Sequence, residues 1–97
     1  MTTETIVQVN VTTNDIKHSN RECNPVSVAV ARGFGLDEYF VQAQRHGILI
    51  FTEYDSIESV WGIDDNSKLS EFMDSWDLYQ LGHDVELSEF TFTITKK

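Results

Sequence analysis

Residues 66–82, NSKLSEFMDSWDLYQLG, constrain the fold more than any other stretch of the chain. Leu69, Phe72, Met73, Trp76 and Tyr79 recur at the i, i+3, i+4, i+7 spacing of one helix face. A chain that carries such an aromatic wedge must also supply an apolar surface to receive it. The spacing predicts a helix opened by Asn66 or Ser67 as cap, with Glu71 near its positive end. Gly82 is expected to end it, with His83 close to the last carbonyls. On the other side Glu71, Asp74 and Asp77 fall at steps of three, about 4.5 Å apart along the axis, and predict an acidic ridge.

The receiving surface is read from the β-rich segments. Residues 5–11, TIVQVNV, alternate and are β-branched, which predicts a strand with Val7, Val9 and Val11 on one face. The polar run 12–15 breaks it, Asp15-Ile16 begins a short turn, and 18–22, HSNRE, reads as an exposed loop. Asn24-Pro25 is a helix start: the amide oxygen caps, and proline at the first position loses no hydrogen bond. The helix is expected over 25–32, PVSVAVAR, ending at Gly33. Val26, Val28 and Val30 alternate, so a strand is the rival for this segment. Residues 39–44 and 48–51 flank Arg45-His46-Gly47 as a hairpin. The second of these strands, with four successive apolar residues, is expected centrally, covered on both faces. For 52–65 the choices are a short helix over 56–60, capped by Asp55 with Ile57, Val60 and Trp61 inward, or an irregular strand over 59–63. Phe90, Phe92 and Ile94 then alternate as the core side of a last strand. The fold class predicted is α+β: one domain over 1–97, an antiparallel or mixed sheet of three to five strands, and two helices packed on one face.

Charge narrows the function classes. Sixteen acids against seven bases give a net charge of −9. Residues 53–89 hold eleven acids and one base, Lys68, whereas 1–52 hold five acids and four bases. Such a field repels nucleic acid and anionic membranes and attracts basic protein surfaces. No stretch approaches the roughly 20 apolar residues of a membrane span. The opening MTTETIVQVNV lacks the basic start and apolar run of a signal peptide. A single cysteine, Cys23, forms no internal disulfide, and a cytoplasmic location is expected.

Catalytic and metal chemistry have little to rest on. His18, His46 and His83 stand about 30 residues apart in expected loops, without the close ligand pairs of a structural zinc site. Cys23 reads as a small buried hydrophobe rather than a nucleophile. Arg32-Gly33-Phe34-Gly35 reads as a helix end, not an RNA-binding repeat. Carboxylate pairs such as Asp37-Glu38 and Asp64-Asp65 lie in expected turns, where water screens them from general acid–base work. Asp64, Asp65 and Asn66 lack the glycine and distal glutamate of an EF-hand loop. No enzyme activity, no cofactor and no metal are expected.

The element order, with its motifs, resembles a group of small bacteriophage and prophage proteins that have no assigned activity. The matching residues are Asp15-Ile16, then Cys23-Asn24-Pro25 with Val26, Ala29 and Val30, then Trp76-Asp77, and finally Phe90-Thr91-Phe92-Thr93-Ile94. The chain departs from that pattern in placing Asn24 between Cys23 and Pro25, and in lacking a proline between Asp77 and Phe90. The resemblance implies a phage or prophage origin and a life in the host cytoplasm; it transfers no catalytic residue.

The function expected is binding through an acidic surface made by Glu71, Asp74 and Asp77, extended by Asp64 and Asp65 at one end and by Asp84 and Glu86 at the other. DNA strands place phosphates at comparable intervals, so a basic host protein of defence or transcription is the expected partner, met by partial DNA mimicry. The alternatives are a self-associating accessory protein that dimerises through the 39–51 hairpin, and a small-ligand domain with a pocket near Cys23.

Overall fold

The computed structural model describes residues 5–20, 23–54, 56–65 and 67–97. The caps expected of Asn66 and Asp55, and the 21–22 part of the expected loop, lie outside the described residues. The architecture is α+β. Five strands, β1 (Ile6–Val11), β2 (Val41–Gln44), β3 (Gly47–Phe51), β4 (Ile57–Ile63) and β5 (Phe90–Lys96), form one antiparallel sheet in the order β1-β5-β4-β3-β2. Among the described residues there are three α-helices, α1 (Thr13–His18), α2 (Pro25–Phe34) and α3 (Ser67–Gln80), one more than the sequence suggests. None is long and apolar enough to cross a membrane.

The alternation in the strands sets an inner and an outer sheet face. Val9, Val11, Val41, Ala43, Ile48, Ile50, Trp61, Phe92 and Ile94 are buried on the inner face. Onto it α3 lowers Leu69, Phe72, Met73 and Trp76, all buried, as the helical spacing requires. Burying four such side chains is worth roughly 6–12 kcal/mol before chain entropy is counted. Tyr79, counted with that stripe in the sequence, is half exposed and stacks on Trp76 at 5.6 Å. Phe72 meets Phe90 at 4.8 Å, which ties the helix to β5. Gly82, at φ 90°, turns the chain out of α3, and the backbone N–H of His83 donates to the Leu78 carbonyl.

The other long helix solves a different problem. Seven successive residues of α2, Pro25 to Ala31, are buried. Because every side is covered, the alternation of its valines carries no facial information, and the cap decides for helix. Asn24 Oδ1 accepts from the Ser27 N–H at 2.8 Å, and the left-handed Gly35, at φ 68°, closes the other end two residues beyond the expected stop. Both sheet edges bond to this one helix. At its start, Asn24 Nδ2 donates to the Ala43 carbonyl at 3.3 Å, and Ser27 Oγ accepts from the Ala43 N–H at 3.1 Å, on edge strand β2. At its end, the Arg32 guanidinium donates to the Asn10 carbonyl at 2.8 Å, on edge strand β1. Eight residues of helix rise about 12 Å and edge strands of a five-stranded sheet lie about 19 Å apart; side-chain reach makes up the difference.

Three sequence expectations are corrected. A helix, α1, replaces the turn at Asp15-Ile16 and takes in His18 from the expected loop. It starts in a capping box: Thr12 Oγ1 accepts from the Asp15 N–H, while Asp15 Oδ2 accepts from the Thr12 N–H at 2.9 Å. Of the two readings of 52–65 the structure takes the irregular strand, longer than expected at 57–63, and overturns the helix at 56–60; Trp61 is buried, but Ile57 and Val60 face outward. Strand β3 is interior to the sheet as expected but helix-covered on one face only: Ile48 and Ile50 are buried, whereas Leu49 and Phe51 are half-buried on the outer face.

Asp15 anchors the α1–α2 junction. It is 2% exposed, and both its carboxylate oxygens receive Arg32, from Nε and NH2, each at 3.0 Å. Burial alone pushes this carboxyl up; the Arg32 donors and those of Thr12 outweigh it and hold it below the usual aspartate range. The same contact raises the Arg32 guanidinium.

Candidate functional site

The acidic candidates come from α3, the turn before it and the 81–89 segment after it. Steps of three along a helix turn each successive side chain by about 60°, so Glu71, Asp74 and Asp77 fan across roughly 120° instead of forming one straight row. The structure separates them accordingly. Asp74 and Asp77 lean toward Arg45, in the turn between β2 and β3, at 2.7 Å and 3.2 Å. Arg45 also donates to the Ser70 carbonyl at 3.0 Å, so its guanidinium lies along α3 and neutralises part of the ridge. Both acids are more than half exposed, and pairs of this kind stabilise a fold by about 0–1 kcal/mol.

Glu71 turns the other way. It borders a cleft of about 200 Å³ together with Lys68 and Ser75 of α3 and Glu86, Ser88 and Glu89 of the following segment, with Phe72 and Phe90 also in its lining. Glu89 accepts from the Thr13 N–H at 2.7 Å, a carboxylate on the positive end of α1. Glu71, Asp84 and Glu86 are exposed and have no hydrogen bond or ion pair among the described residues.

The acids before α3 have local duties. Asp64 accepts from the Thr95 hydroxyl at 2.8 Å and 3.0 Å on the outer sheet face. Asp65 accepts from the N–H and hydroxyl of Ser67, at 3.1 Å and 2.7 Å, and these donors lower its pKa. Of the seven sequence candidates, then, Asp74 and Asp77 share Arg45, Asp64 and Asp65 fix local structure, and Glu71, Asp84 and Glu86 are left facing water.

Two participants escaped sequence reasoning. Arg45 is separated from its acids by about 30 residues, and nothing in a hairpin turn signals such a pairing. Glu89 was counted in the acidic half but stood too far from the helix to join the ridge.

The other candidate chemistries are placed as follows. Cys23 is buried at 2% exposure. His18 meets Glu38 at 3.1 Å, and His46 and His83 are exposed. Arg32-Gly33-Phe34-Gly35 is the end of α2. Among the described residues no three His, Cys, Asp or Glu side chains converge as a metal site requires. Comparison with protein-family models, curated proteins and solved structures finds no match.

Proposed function

We propose that this is a small acidic binding protein, phage-encoded, whose surface around α3 and residues 81–89 meets a basic surface of a host protein in the cytoplasm. The observation that carries this reading is the charge split: eleven acids and one base in 53–89, with Glu71, Asp84 and Glu86 left without partners among the described residues. Unpaired carboxylates on a rigid helix and its exit segment keep their full charge for a partner, whereas acids paired at home do not. The partner is a protein that itself holds nucleic acid, of defence or transcription machinery, and the carboxylates occupy the ground of its phosphates. The mimicry is partial, since Arg45 interrupts the ridge at Asp74 and Asp77. No catalytic step and no direct nucleic-acid or membrane binding belong to this reading.

Affinity capture from infected host cells tests it. The captured protein should be basic, should leave the complex as salt rises, and should be displaced by duplex DNA. A captured partner that is acidic, or whose complex is indifferent to both salt and DNA, would refute the reading.

A further inference from the structure

Among the described residues no helix lies on the outer face of the sheet, and that face carries a property that the rest of the surface lacks. Among the described residues every side chain that β1, β2, β3 and β5 direct outward is uncharged, and Val60 and Gly62 of β4 continue the pattern. In a chain where about a quarter of the residues are Asp, Glu, Lys or Arg, an exposed sheet face would ordinarily take several. The face is also apolar in part. Leu49 pairs with Val60, and Phe51 with Ile57, across β3 and β4; Ile57 is 57% exposed and Ile6, at the far edge, 58%. The charges near its border are of opposite sign. Asp64 is held on Thr95, and Lys97 lies across Gly62, where an added Cβ would come within 2.9 Å of Lys97 Cε.

We propose that this face is the interface of a homodimer, two sheets stacked face to face across a twofold axis. The occupant is a second copy because of charge. Two chains of net charge −9 repel at long range, and an approach through the α3 side sets carboxylate against carboxylate. The outer sheet face is where like-charged copies meet without that penalty, and it offers apolar area on both sides. Lys97 fills the hollow over Gly62, so the apolar contact of each copy rests on the Leu49–Val60 and Phe51–Ile57 pairs. Sheets stacked this way lie about 10 Å apart with interleaved side chains. The size suffices for a specific, modest contact. A face about 24 Å wide and 20 Å long buries roughly 1,000 Å² over both copies, the lower end of specific interfaces. The dimer holds both acidic surfaces outward and does not depend on their having a partner.

Sedimentation equilibrium of the full chain over a wide concentration range, at low and high salt, tests the proposal. The mass should rise from monomer and level off at dimer. The dimer should tighten as salt screens the like charges, the opposite trend to that expected for binding a basic partner. Val60→Lys and Gln42→Lys each place a cation on the stacked face and should each weaken the dimer roughly tenfold or more, with unchanged circular dichroism. Gln42 is exposed and polar, so its variant keeps the test open if Val60→Lys fails to fold. A monomer at every concentration and salt, or a dimer as tight in both variants as in the parent, would overturn the proposal.

Discussion

Replacing Arg32 with methionine tests what holds α1 against α2. The substitution keeps most of the apolar stem and removes the guanidinium that reaches both oxygens of Asp15 at 3.0 Å. Hydrogen bonds to charged groups contribute about 1.5–3 kcal/mol each. The Arg32 side chain is 54% exposed, so solvent screening sets the pair near the low end, about 3 kcal/mol in all. What remains is a carboxylate at 2% exposure with only the Thr12 N–H and hydroxyl as donors among the described residues, and leaving a buried charge behind is the expensive half of such a break. The reverse change, Asp15→Ala, loses the capping box, about 1 kcal/mol, but leaves an arginine that water can solvate. A double-mutant cycle cancels the cap, which is lost in both Asp15→Ala and the double variant. It should return the pair itself, a coupling of about 3 kcal/mol at neutral pH, a sizeable part of the roughly 5–15 kcal/mol that stabilises a domain.

The coupling must also depend on pH. The folded pKa of Asp15 is held below its unfolded value of about 3.9. The unfolded state therefore takes up the proton first, and the stabilisation is present above that value and lost as pH falls through the folded pKa. In Arg32→Met the lowering by the guanidinium is lost while burial stays, so the variant sheds its buried charge at a higher pH than the parent. The stability curves should converge toward acid. Urea unfolding followed by the fluorescence of Trp61 and Trp76, both buried, reads this directly. A coupling below about 0.5 kcal/mol at neutral pH, the scale of an ordinary surface pair, or one unchanged well below the carboxylate range, would refute the reasoning.

Two more outcomes follow from the same contacts. Asn24→Ala removes both the α2 cap and the bond to the Ala43 carbonyl, and should cost about 1–2 kcal/mol in urea unfolding; Asn24→Asp should restore the cap alone, and full recovery by it would mean that the edge bond contributes nothing. Arg45→Met should change stability by less than about 1 kcal/mol, yet tighten the complex with a basic partner at low salt, because Asp74 and Asp77 lose their internal counter-charge.

The legible parts of this fold are those in which local chemistry and burial agree. Asn24-Pro25 names the start of α2 from side-chain geometry alone, and the Leu69–Trp76 stripe and the Phe90–Ile94 alternation each face one core. Strand β4 was hard to read because of its bulge. The register shifts between Ile50 and Phe51, which leaves Ile57, Val60 and Trp61 at a spacing that imitates a helix face while the chain is extended. The first helix was hidden because its box closes with aspartate, at Thr12 and Asp15, rather than the longer acid of the usual pattern. The site was less legible still. A row of acids can be counted in sequence, but which of them are free depends on Arg45 and Thr95, side chains about 30 residues away.

The central claim, that unpaired carboxylates around α3 bind a basic partner, is tested most directly by one titration. Glu71, Asp84 and Glu86 are changed together to lysine, and the affinity of this variant and of the parent for the captured host protein is measured as salt rises. The three sites are exposed, so the fold should survive the change. The expected result is a steep salt dependence for the parent and no measurable complex for the variant at any salt. A variant that binds as tightly as the parent, with the same dependence on salt, would contradict the claim.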